Sequence, residues 1–354
     1  MKRILVLLML GTLAIGCSDE LKIHDSISEE DQAVYHPLPV AKYKDGYYIQ
    51  DLNNNTLYYM EENKNTLINY CYFHDDQFSK GNHGTYKRYE SSIEAGMGFY
   101  VLDDAIYTLA TYTNVEGETW HSFVQMSLDG KELKELFKLD FQPYNNFTIH
   151  NNKVYMIEDT SHRTIHILSL SGKELKTIKY TYADSFFISE NKIYLRNGES
   201  GHFSYLDEND AIIDLPVKDN EYIEMINNDH VSSISYEDNT LVSHYRSLTD
   251  TNDIHIFTNE LVTYFDDQYI YTSQLSGMQK YRIYDLDAYL VKEIIPSQSI
   301  QIEENNVPSI SGDKNDFSVI CRVIDNKIIA YNLMGPIECN TDTGVCKYII
   351  EMMN

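Results

Sequence analysis

Histidine and cysteine side chains that lie close together in the sequence are the first candidates for a metal site. Three pairs occur: Cys71 with His74, His162 with His166, and His244 with His255. A zinc-binding histidine pair four residues apart needs one helical face, whereas His162 and His166 fall on strands separated by a turn. Isolated surface histidines account for these positions better, and we predict neither a metal nor any other cofactor.

Acidic loops offer oxygen ligands for calcium at Asp250–Asp253 and Asp313–Asp316. Neither has the glycine or the terminal glutamate of an EF-hand loop. They are typical of turns in which Asp and Asn bond to the nearby backbone. A glycosidase needs two carboxylates at a defined separation, and in a chain with 54 acidic residues such pairs are too abundant to be diagnostic.

Motifs for nucleophilic catalysis and phosphate binding are missing from the sequence, which has no G-x-S-x-G elbow and no P-loop. A Gly-x-Gly at Gly96–Gly98 leads into the strand Phe99–Val101. It therefore cannot present a helix N-terminus to a phosphate. The sequence nominates no catalytic residue, although it does not exclude an enzyme.

The segment Thr113–Trp120 resembles the Asp-box of sialidase-like propellers, with Val115 in the place of the aspartate. That aspartate fastens a hairpin, so the resemblance implies a fold feature. A sialidase also needs clustered arginines and a tyrosine nucleophile supported by an acid. The arginines here are dispersed, at positions 3, 88, 163, 196, 246, 282 and 322.

Tyrosine is unusually frequent, with 30 Tyr and 13 Phe against one Trp. Tyrosine offers a large, stiff, amphipathic surface that suits contact with sugars or peptides. We assign to the core the tyrosines that follow an aliphatic strand residue: Tyr107, Tyr155, Tyr194 and Tyr271. A ligand site would draw its tyrosines from loops such as Tyr86–Tyr89 or Tyr144–Phe147.

A recurrent unit positions these residues along the chain. In seven places a polar turn precedes a strand with an aliphatic residue at the same position: Leu57, Ile106, Val154, Ile193, Leu241, Ile270 and Ile328. Their spacings of 49, 48, 39, 48, 29 and 58 residues give a period in the forties made of short strands, which is typical of propeller blades. Within Asn151–Ile178 both faces of the inner strand are apolar, as a sheet between two neighbouring sheets requires.

The sequence therefore predicts an all-β chain that forms a β-propeller of seven blades, with six or eight also compatible. The spacing of 29 predicts a reduced blade, and the spacing of 58 predicts an insertion around Ser297–Phe317. Asp129-Gly130 and Ser171-Gly172 are predicted two-residue hairpin turns, because glycine accepts a positive φ. Two tandem β-sandwiches are the alternative architecture.

The N-terminus is predicted to be a lipoprotein signal peptide over residues 1–16. Lys2 and Arg3 precede the apolar run Ile4–Gly16, which is too short to span a bilayer. Leu13–Cys17 resembles the bacterial lipobox, which implies a diacylglyceryl group on Cys17, the mature N-terminus. An ordinary cleaved signal peptide is the alternative. Residues 17–37 are predicted to form an acidic, flexible spacer, and residues 38–354 the propeller domain.

The predicted location and the net charge of the chain restrict the classes of molecule that it can bind. No later stretch offers 18 consecutive apolar residues, so the mature chain is predicted outside the cytoplasmic membrane, on the cell surface or in the periplasm. With 28 basic and 54 acidic residues, its net charge of −26 repels nucleic acid and anionic lipid head groups. The expected contact with the membrane is the lipid on Cys17.

Four further cysteines lie in a compartment where disulfides form. Cys339 and Cys346 flank the turn-rich Asn340–Val345, which brings two paired strands opposite each other, and we predict a disulfide between them. A bridge between Cys71 and Cys321 is a further hypothesis.

The combination of lipobox, acidic spacer and Tyr-rich units resembles the lipid-anchored β-propeller lipoproteins of bacteria, which are grouped with low-density-lipoprotein-receptor-like propellers. The stretch Thr66–His83 resembles a segment that some of them carry after the first hairpin, with Cys71, His74 and Asp75 in the matching places. The resemblance covers roughly residues 38 to 350. It implies a fold and a membrane location and says little about activity.

Three functional hypotheses follow. The first is a non-catalytic, cell-envelope propeller, lipidated at Cys17, that binds a protein, peptide or glycan partner. The second is a surface hydrolase or lyase that acts on glycans at the mouth of the propeller channel. The third is an envelope scaffold without a small ligand.

Overall fold

The computed structural model describes residues 32–33, 40–51, 56–61, 64–68, 71–76, 87–93, 98–114, 116–189, 191–215, 222–227, 229–237, 240–250, 252, 254–274, 280–296, 319–332 and 335–349. All regular structure in these ranges is β-strand, and the strands form seven sheets. The sheets are the blades of a ring. The predicted seven-bladed β-propeller is confirmed.

The first strand and the first three blades cover the N-terminal half of the ring. They are β1 (Gln32–Ala33); in blade 1, β2 (Val40–Tyr43), β3 (Gly46–Asp51), β4 (Thr56–Glu61) and β5 (Lys64–Ile68); in blade 2, β6 (Cys71–Asp76), β7 (Lys87–Ile93), β8 (Phe99–Leu102), β9 (Ala105–Asn114), β10 (Thr119–Ser127) and β11 (Leu133–Lys138); in blade 3, β12 (Pro143–His150), β13 (Lys153–Glu158), β14 (Thr164–Ser169) and β15 (Glu174–Lys179).

Four blades complete the ring. They are, in blade 4, β16 (Ala183–Ser189), β17 (Lys192–Asn197), β18 (Phe203–Leu206) and β19 (Ile212–Asp214); in blade 5, β20 (Tyr222–Asn227), β21 (His230–Glu237), β22 (Thr240–Ser247) and β23 (Ile254–Thr258); in blade 6, β24 (Glu260–Phe265), β25 (Tyr269–Gln274), β26 (Tyr281–Asp285) and β27 (Leu290–Ile294); in blade 7, β28 (Val319–Ile324), β29 (Lys327–Asn332), β30 (Gly335–Asn340) and β31 (Cys346–Tyr348).

Each blade is an antiparallel meander whose first strand is innermost; in blade 2 that strand is β8. In each blade a short turn joins the first strand to the second, as at Asn151-Asn152 between β12 and β13. Six Asn or Asp residues in these turns have φ between 49° and 59°, which their short side chains tolerate. We call the face with these turns the hairpin face. The opposite face, which carries the second-to-third-strand turns and the links between blades, is the link face.

Seven apolar clusters fill the seven interfaces between consecutive blades. In blade 3 the second strand buries four consecutive residues, so both of its faces contact a neighbour. This arrangement excludes tandem sandwiches, in which one face of each sheet would be wet. The tyrosines assigned to the core are buried: Tyr107, Tyr155, Tyr194 and Tyr271.

Blade 1 and blade 7 close the ring by side-chain packing, because each is built from its own contiguous segment. Their interface buries Val40, Tyr47 and Ile49 against Ile324 and Ile329. No strand is exchanged between these two blades among the described residues. Ring closure therefore depends on apolar burial and on the polar contacts that surround it.

The structure corrects two of the seven repeat positions. Leu57 and Leu241 lie on third strands, β4 and β22, whereas the other five lie on second strands. The equivalent second-strand residues are Tyr47 and Val231, and the spacings become 59, 48, 39, 38, 39 and 58. The predicted reduced blade is wrong, since every blade has at least four strands. Third strands also follow a polar turn and carry an aliphatic residue at the same position. Periodicity therefore did not distinguish third strands from second strands. The predicted insertion at Ser297–Phe317 lies outside the described residues.

The turns predicted to contain two residues are longer. Gly172 N donates to Ser169 O and Ser169 N to Lys173 O, which gives three loop residues, and the loop at Gly130 holds four. The positive φ predicted for these glycines is present, at 68° for Gly130 and 80° for Gly172. Asp210 and Ala288 occupy the corresponding position in blades 4 and 6, with φ of 55° and 61°.

Blade 2 carries two additions. Its second strand, β9, has ten residues, and the part of β9 that extends past the end of β8 pairs with β7. β7 in turn pairs with β6. The hairpin of β6 and β7 therefore extends this blade on the link face. β1 pairs with the free edge of β8, with Gln32 opposite Tyr100 and Ala33 opposite Phe99.

Candidate binding site

The predicted cysteine sites fall in separate parts of the molecule. Cys17 lies outside the described residues. Cys339 and Cys346 are opposite each other on β30 and β31, and a disulfide joins their sulfur atoms at 2.03 Å. Cys321 is half-buried on β28, where its thiol contacts the carbonyl oxygen of Val319 at 3.5 Å. The side chain of Cys71 lies outside the description, as do those of His74 and Asp75 on the same strand.

The Asp-box-like segment is the turn between β9 and β10. Asn114 Oδ1 accepts hydrogen bonds from the backbone N–H groups of Glu116 and Glu118 at 3.0 and 2.9 Å. Asn114 thus fastens the turn as an Asx side chain does, and Gly117 supplies a φ of 83°. Trp120 stacks on Tyr112, with ring centroids 5.2 Å apart. The segment stabilises the extension of blade 2.

Two of the paired histidines, His166 and His244, contact other side chains. His166 stacks on Phe141 at 4.1 Å, and its ring nitrogens contact Glu158 and Glu174 at 3.4 and 3.0 Å, while His162 is exposed in a turn. His244 Nε2 is 2.7 Å from Ser235 Oγ. No group of three or more His, Cys, Asp or Glu within the described ranges is arranged to hold a metal ion.

The acidic loops behave as turns where the structure describes them. Asp250 Oδ1 accepts a hydrogen bond from the N–H of Asn252 at 2.9 Å. The loop Asp313–Asp316 lies outside the described residues.

Tyr144 and Arg163 begin an aromatic surface on the link face. Tyr144 lies near the start of β12, and Arg163 lies in the turn between β13 and β14. The Arg163 guanidinium carbon is 3.4 Å from the centroid of the Tyr144 ring. Nη1 of the same arginine donates to the carbonyl oxygen of Ala183 at 2.6 Å. Arg163 therefore holds the tyrosine ring by a cation–π contact and ties blade 3 to blade 4.

Tyr182 also lies on the link face, in the link between blades 3 and 4. Its side chain is 46% exposed, and its φ is 64°. A bulky residue in the left-handed region costs about 1–2 kcal/mol, so neighbouring contacts must hold it there. Its carbonyl oxygen accepts from Gly198 N at 2.9 Å, and Ala183 N donates to Tyr180 O at 3.1 Å. Burial raises the pKa of Tyr180, beside this link.

Tyr222, the first residue of β20, is also 46% exposed. Its ring lies against Gly201, where a Cβ atom would come within 2.3 Å of the ring, so the position requires glycine. Gly201 belongs to the turn after β17 that also contains Gly198, which bonds to Tyr182. One turn thus contacts two exposed tyrosines, and we call Tyr144, Tyr182 and Tyr222 the tyrosine patch.

A partly buried ion pair lies beside the tyrosine patch. Asp184 is 9% exposed and accepts hydrogen bonds from Arg196, with Nε at 2.8 Å. Both residues belong to blade 4, on β16 and β17, and a Cβ atom at Gly198 would lie 3.0 Å from Asp184. This pair stabilises the turn that contacts Tyr182.

Glu260 is the other buried carboxylate at the link-face end of an innermost strand. It is 8% exposed and accepts hydrogen bonds from Arg282, Tyr284 and Thr272. Arg282 also bonds Glu293 at 2.8 Å, which lowers the pKa of that carboxyl. Burial and the charge of Glu260 raise the pKa of Tyr284 to about 12. The donors around Glu260 engage the lone pairs that a general acid or base would use, so we assign it a structural role.

Sequence reasoning named Tyr144–Phe147 but missed Tyr182, Tyr222 and Arg163. Tyr182 lies in a link between blades, and Tyr222 begins a first strand after a link; both positions are irregular from repeat to repeat. A signal was present: these tyrosines do not follow the aliphatic residue of a second strand, unlike the buried ones. Both segments were predicted as loops, but Tyr144–Phe147 lies on β12, and Lys87–Tyr89 lie on β7 with side chains that the structure does not describe. Tyr86 lies outside the described residues.

Comparisons with known proteins found distant similarities among solved structures. No protein-family model and no curated protein sequence matches the chain. Among solved structures, Hsv2 of Kluyveromyces lactis is 15% identical over 71% of this chain and 76% of its own, with a TM-score of 0.43. BamB of Moraxella catarrhalis is 11% identical over 90% of this chain and 96% of its own, with a TM-score of 0.41. A puromycin hydrolase S511A mutant is 9% identical over 93% of this chain and 56% of its own, with a TM-score of 0.39. At these values the similarities carry no argument about function.

Proposed function

We propose that this protein is a cell-envelope lipoprotein, tethered through Cys17, whose propeller binds a protein, peptide or glycan partner on the link face. The observation that carries the binding proposal is the tyrosine patch, two members of which keep 46% of their surface exposed. The turn at Gly198–Gly201 contacts Tyr182 and Tyr222, and Arg163 stacks on the ring of the third tyrosine. Little conformational entropy is therefore lost on binding. Tyrosine rings combine an apolar body with a polar tip, which suits sugar faces and peptide side chains alike.

The lipid tether rests on the sequence from Lys2 to Cys17. In the proposed state the acyl groups on Cys17 hold the protein at the outer side of the cytoplasmic membrane or at the cell surface, since two or more chains suffice for stable anchoring. No helix in the described part of the chain is long and apolar enough to cross a membrane.

A matched pair of variants tests the binding role. Tyr182→Asn with Tyr222→Ser removes two rings of the patch, and asparagine retains the left-handed backbone at 182. Tyr289→Asn removes a ring that is 71% exposed on the turn between β26 and β27, away from the patch. We expect a screen of envelope glycans, peptides and proteins to find a ligand that binds the wild type and the Tyr289 variant. The patch variant should bind at least tenfold more weakly with its thermal midpoint unchanged. Equal binding by all three proteins would place the partner site elsewhere.

A further inference from the structure

The N-terminal strand lies inside the propeller channel. β8 is the innermost strand of blade 2, and one of its edges pairs with β9. β1 pairs with the other edge, which faces the channel, through Gln32 with Tyr100 and Ala33 with Phe99. The two residues of β1 therefore occupy part of the channel lumen.

The direction of β1 follows from its pairing. β8 runs from the link face to the hairpin face, because the turn at Asp103-Asp104 follows it. The pairing is antiparallel, so β1 runs towards the link face, with Ala33 nearer that face than Gln32. β2 begins at the link face at Val40, seven residues beyond Ala33, which agrees with this direction.

We propose that the chain before Gln32 leaves the channel through the hairpin face, so that the lipid on Cys17 holds that face towards the membrane. The link face and its tyrosine patch then point away from the membrane, where a partner in the surroundings can reach them. The orientation rests on the proposed lipidation and binding site, whereas the path of the N-terminal segment rests on β1 alone. The 15 residues from Cys17 to Asp31 extend to at most roughly 50 Å.

The charge of the hairpin face indicates a gap between this face and the lipid surface, which the tether would span. Its described turns between first and second strands carry acidic side chains and one lysine, Lys44; the acidic residues are Asp45, Asp103, Asp104, Asp229, Asp267 and Asp325. An anionic membrane surface repels such a face at separations up to the screening length, which is about 10 Å in 0.1 M salt. The spacer is long enough to span a gap of that size.

Distances between spin labels test the path of the segment. We would use the unlipidated mature chain with Cys17→Ser, Cys71→Ser and Cys321→Ser, and attach one label at Ser28→Cys. The second label is placed on the hairpin face, at Gln268→Cys or Asp45→Cys, or on the link face, at Glu199→Cys or Ser161→Cys; all four positions are exposed. We expect shorter mean distances to both hairpin-face labels. Equal distances to the two faces, or shorter ones to the link face, overturn the proposal.

Quenching on vesicles tests the orientation. Lipidated protein with a fluorophore at position 268 or 199 is reconstituted on phosphatidylcholine vesicles with nitroxide-labelled head groups. We expect at least twofold stronger quenching at 268, and stronger or equal quenching at 199 contradicts the orientation. Protein with an intact Cys17 that fails to bind vesicles refutes the lipid anchor, while the spin-label distances still decide the path through the channel.

Discussion

Tyr47 and Glu338 join the first blade to the last across 291 residues of sequence. The Tyr47 hydroxyl donates to Glu338 Oε2 at 2.6 Å, and Lys327 Nζ lies 3.3 Å from the same carboxylate oxygen. Burial, with a contribution from the Glu338 charge, raises the pKa of Tyr47 well above its usual value. Because no strand is exchanged between these two blades in the described chain, this contact is one of the few polar links that close the ring.

Tyr47→Phe should therefore weaken the interface between blades 1 and 7. A hydrogen bond to a charged acceptor contributes about 2 kcal/mol, so we expect a loss of that size in the free energy of unfolding by urea. Tyr48→Phe is the matched control: Tyr48 is equally buried on the same strand, but its hydroxyl donates to a neutral carbonyl, Leu128 O, at 3.0 Å. We expect a loss of about 1 kcal/mol there. A larger loss for the control would show that the closure does not depend on the Glu338 contact.

Stability should fall at alkaline pH. Burial raises the pKa of Tyr245 and of Tyr284 to about 12, against 10 for an exposed tyrosine. Below pH 10 both folded and unfolded chains keep these protons, so stability does not depend on pH through them. Between pH 10 and 12 the unfolded chain loses protons that the folded chain keeps, which favours unfolding.

Urea midpoints at pH 9, 10, 11 and 12, with tyrosinate absorbance followed in parallel, check this expectation. The buried tyrosines should ionise together with unfolding, whereas the chain in concentrated urea should titrate near pH 10. A midpoint that stays constant up to pH 12 would contradict it.

Two substitutions at the same turn position should have opposite signs. Ala288 adopts φ 61° in the turn after β26, so Ala288→Gly relieves strain and should stabilise the protein by roughly 0.5 kcal/mol. Gly172 adopts φ 80° in the equivalent turn of blade 3, and an added Cβ would lie 2.5 Å from Phe137. Gly172→Ala should cost about 2 kcal/mol or more. Thermal unfolding of both variants measures the difference, and a destabilised Ala288→Gly protein would refute the strain argument.

The pairing of Cys339 with Cys346 can be checked in protein purified without reductant. Peptide mapping should recover the two cysteines in one linked peptide. The loop they close has a sequence separation of 7, so the double substitution to alanine should lower stability by about 2 kcal/mol. Alkylation of either cysteine in the folded, unreduced protein would contradict the pairing.

Lipidation is tested by growth with labelled palmitate. The wild-type protein should carry the label and fractionate with membranes, and Cys17→Ser should lose both properties, because the thiol is the acyl acceptor. Cys321→Ser serves as the matched control and should remain labelled. Label that persists in Cys17→Ser would remove the anchor from the proposal.

The sequence by itself determined the properties that depend on neighbours along the chain. Alternation of apolar residues with polar turns predicted the blades, because a strand between two sheets must be apolar on both faces. Val154 and Tyr155 could be placed in the core for this reason, and the positive φ at Gly172 followed from turn chemistry. The predicted N-terminal signal is likewise a local pattern.

Only the tertiary structure decided which residues from distant segments meet. Leu57 and Leu241 follow the same local pattern as second-strand residues, and only strand pairing shows that they lie on third strands. Tyr182 and Tyr222 both contact the turn that contains Gly198 and Gly201, and they lie in segments without a repeat. The antiparallel pairing of Gln32 with Tyr100 sets the direction of β1. Each of these contacts depends on how the ring closes, which periodicity along the chain does not encode.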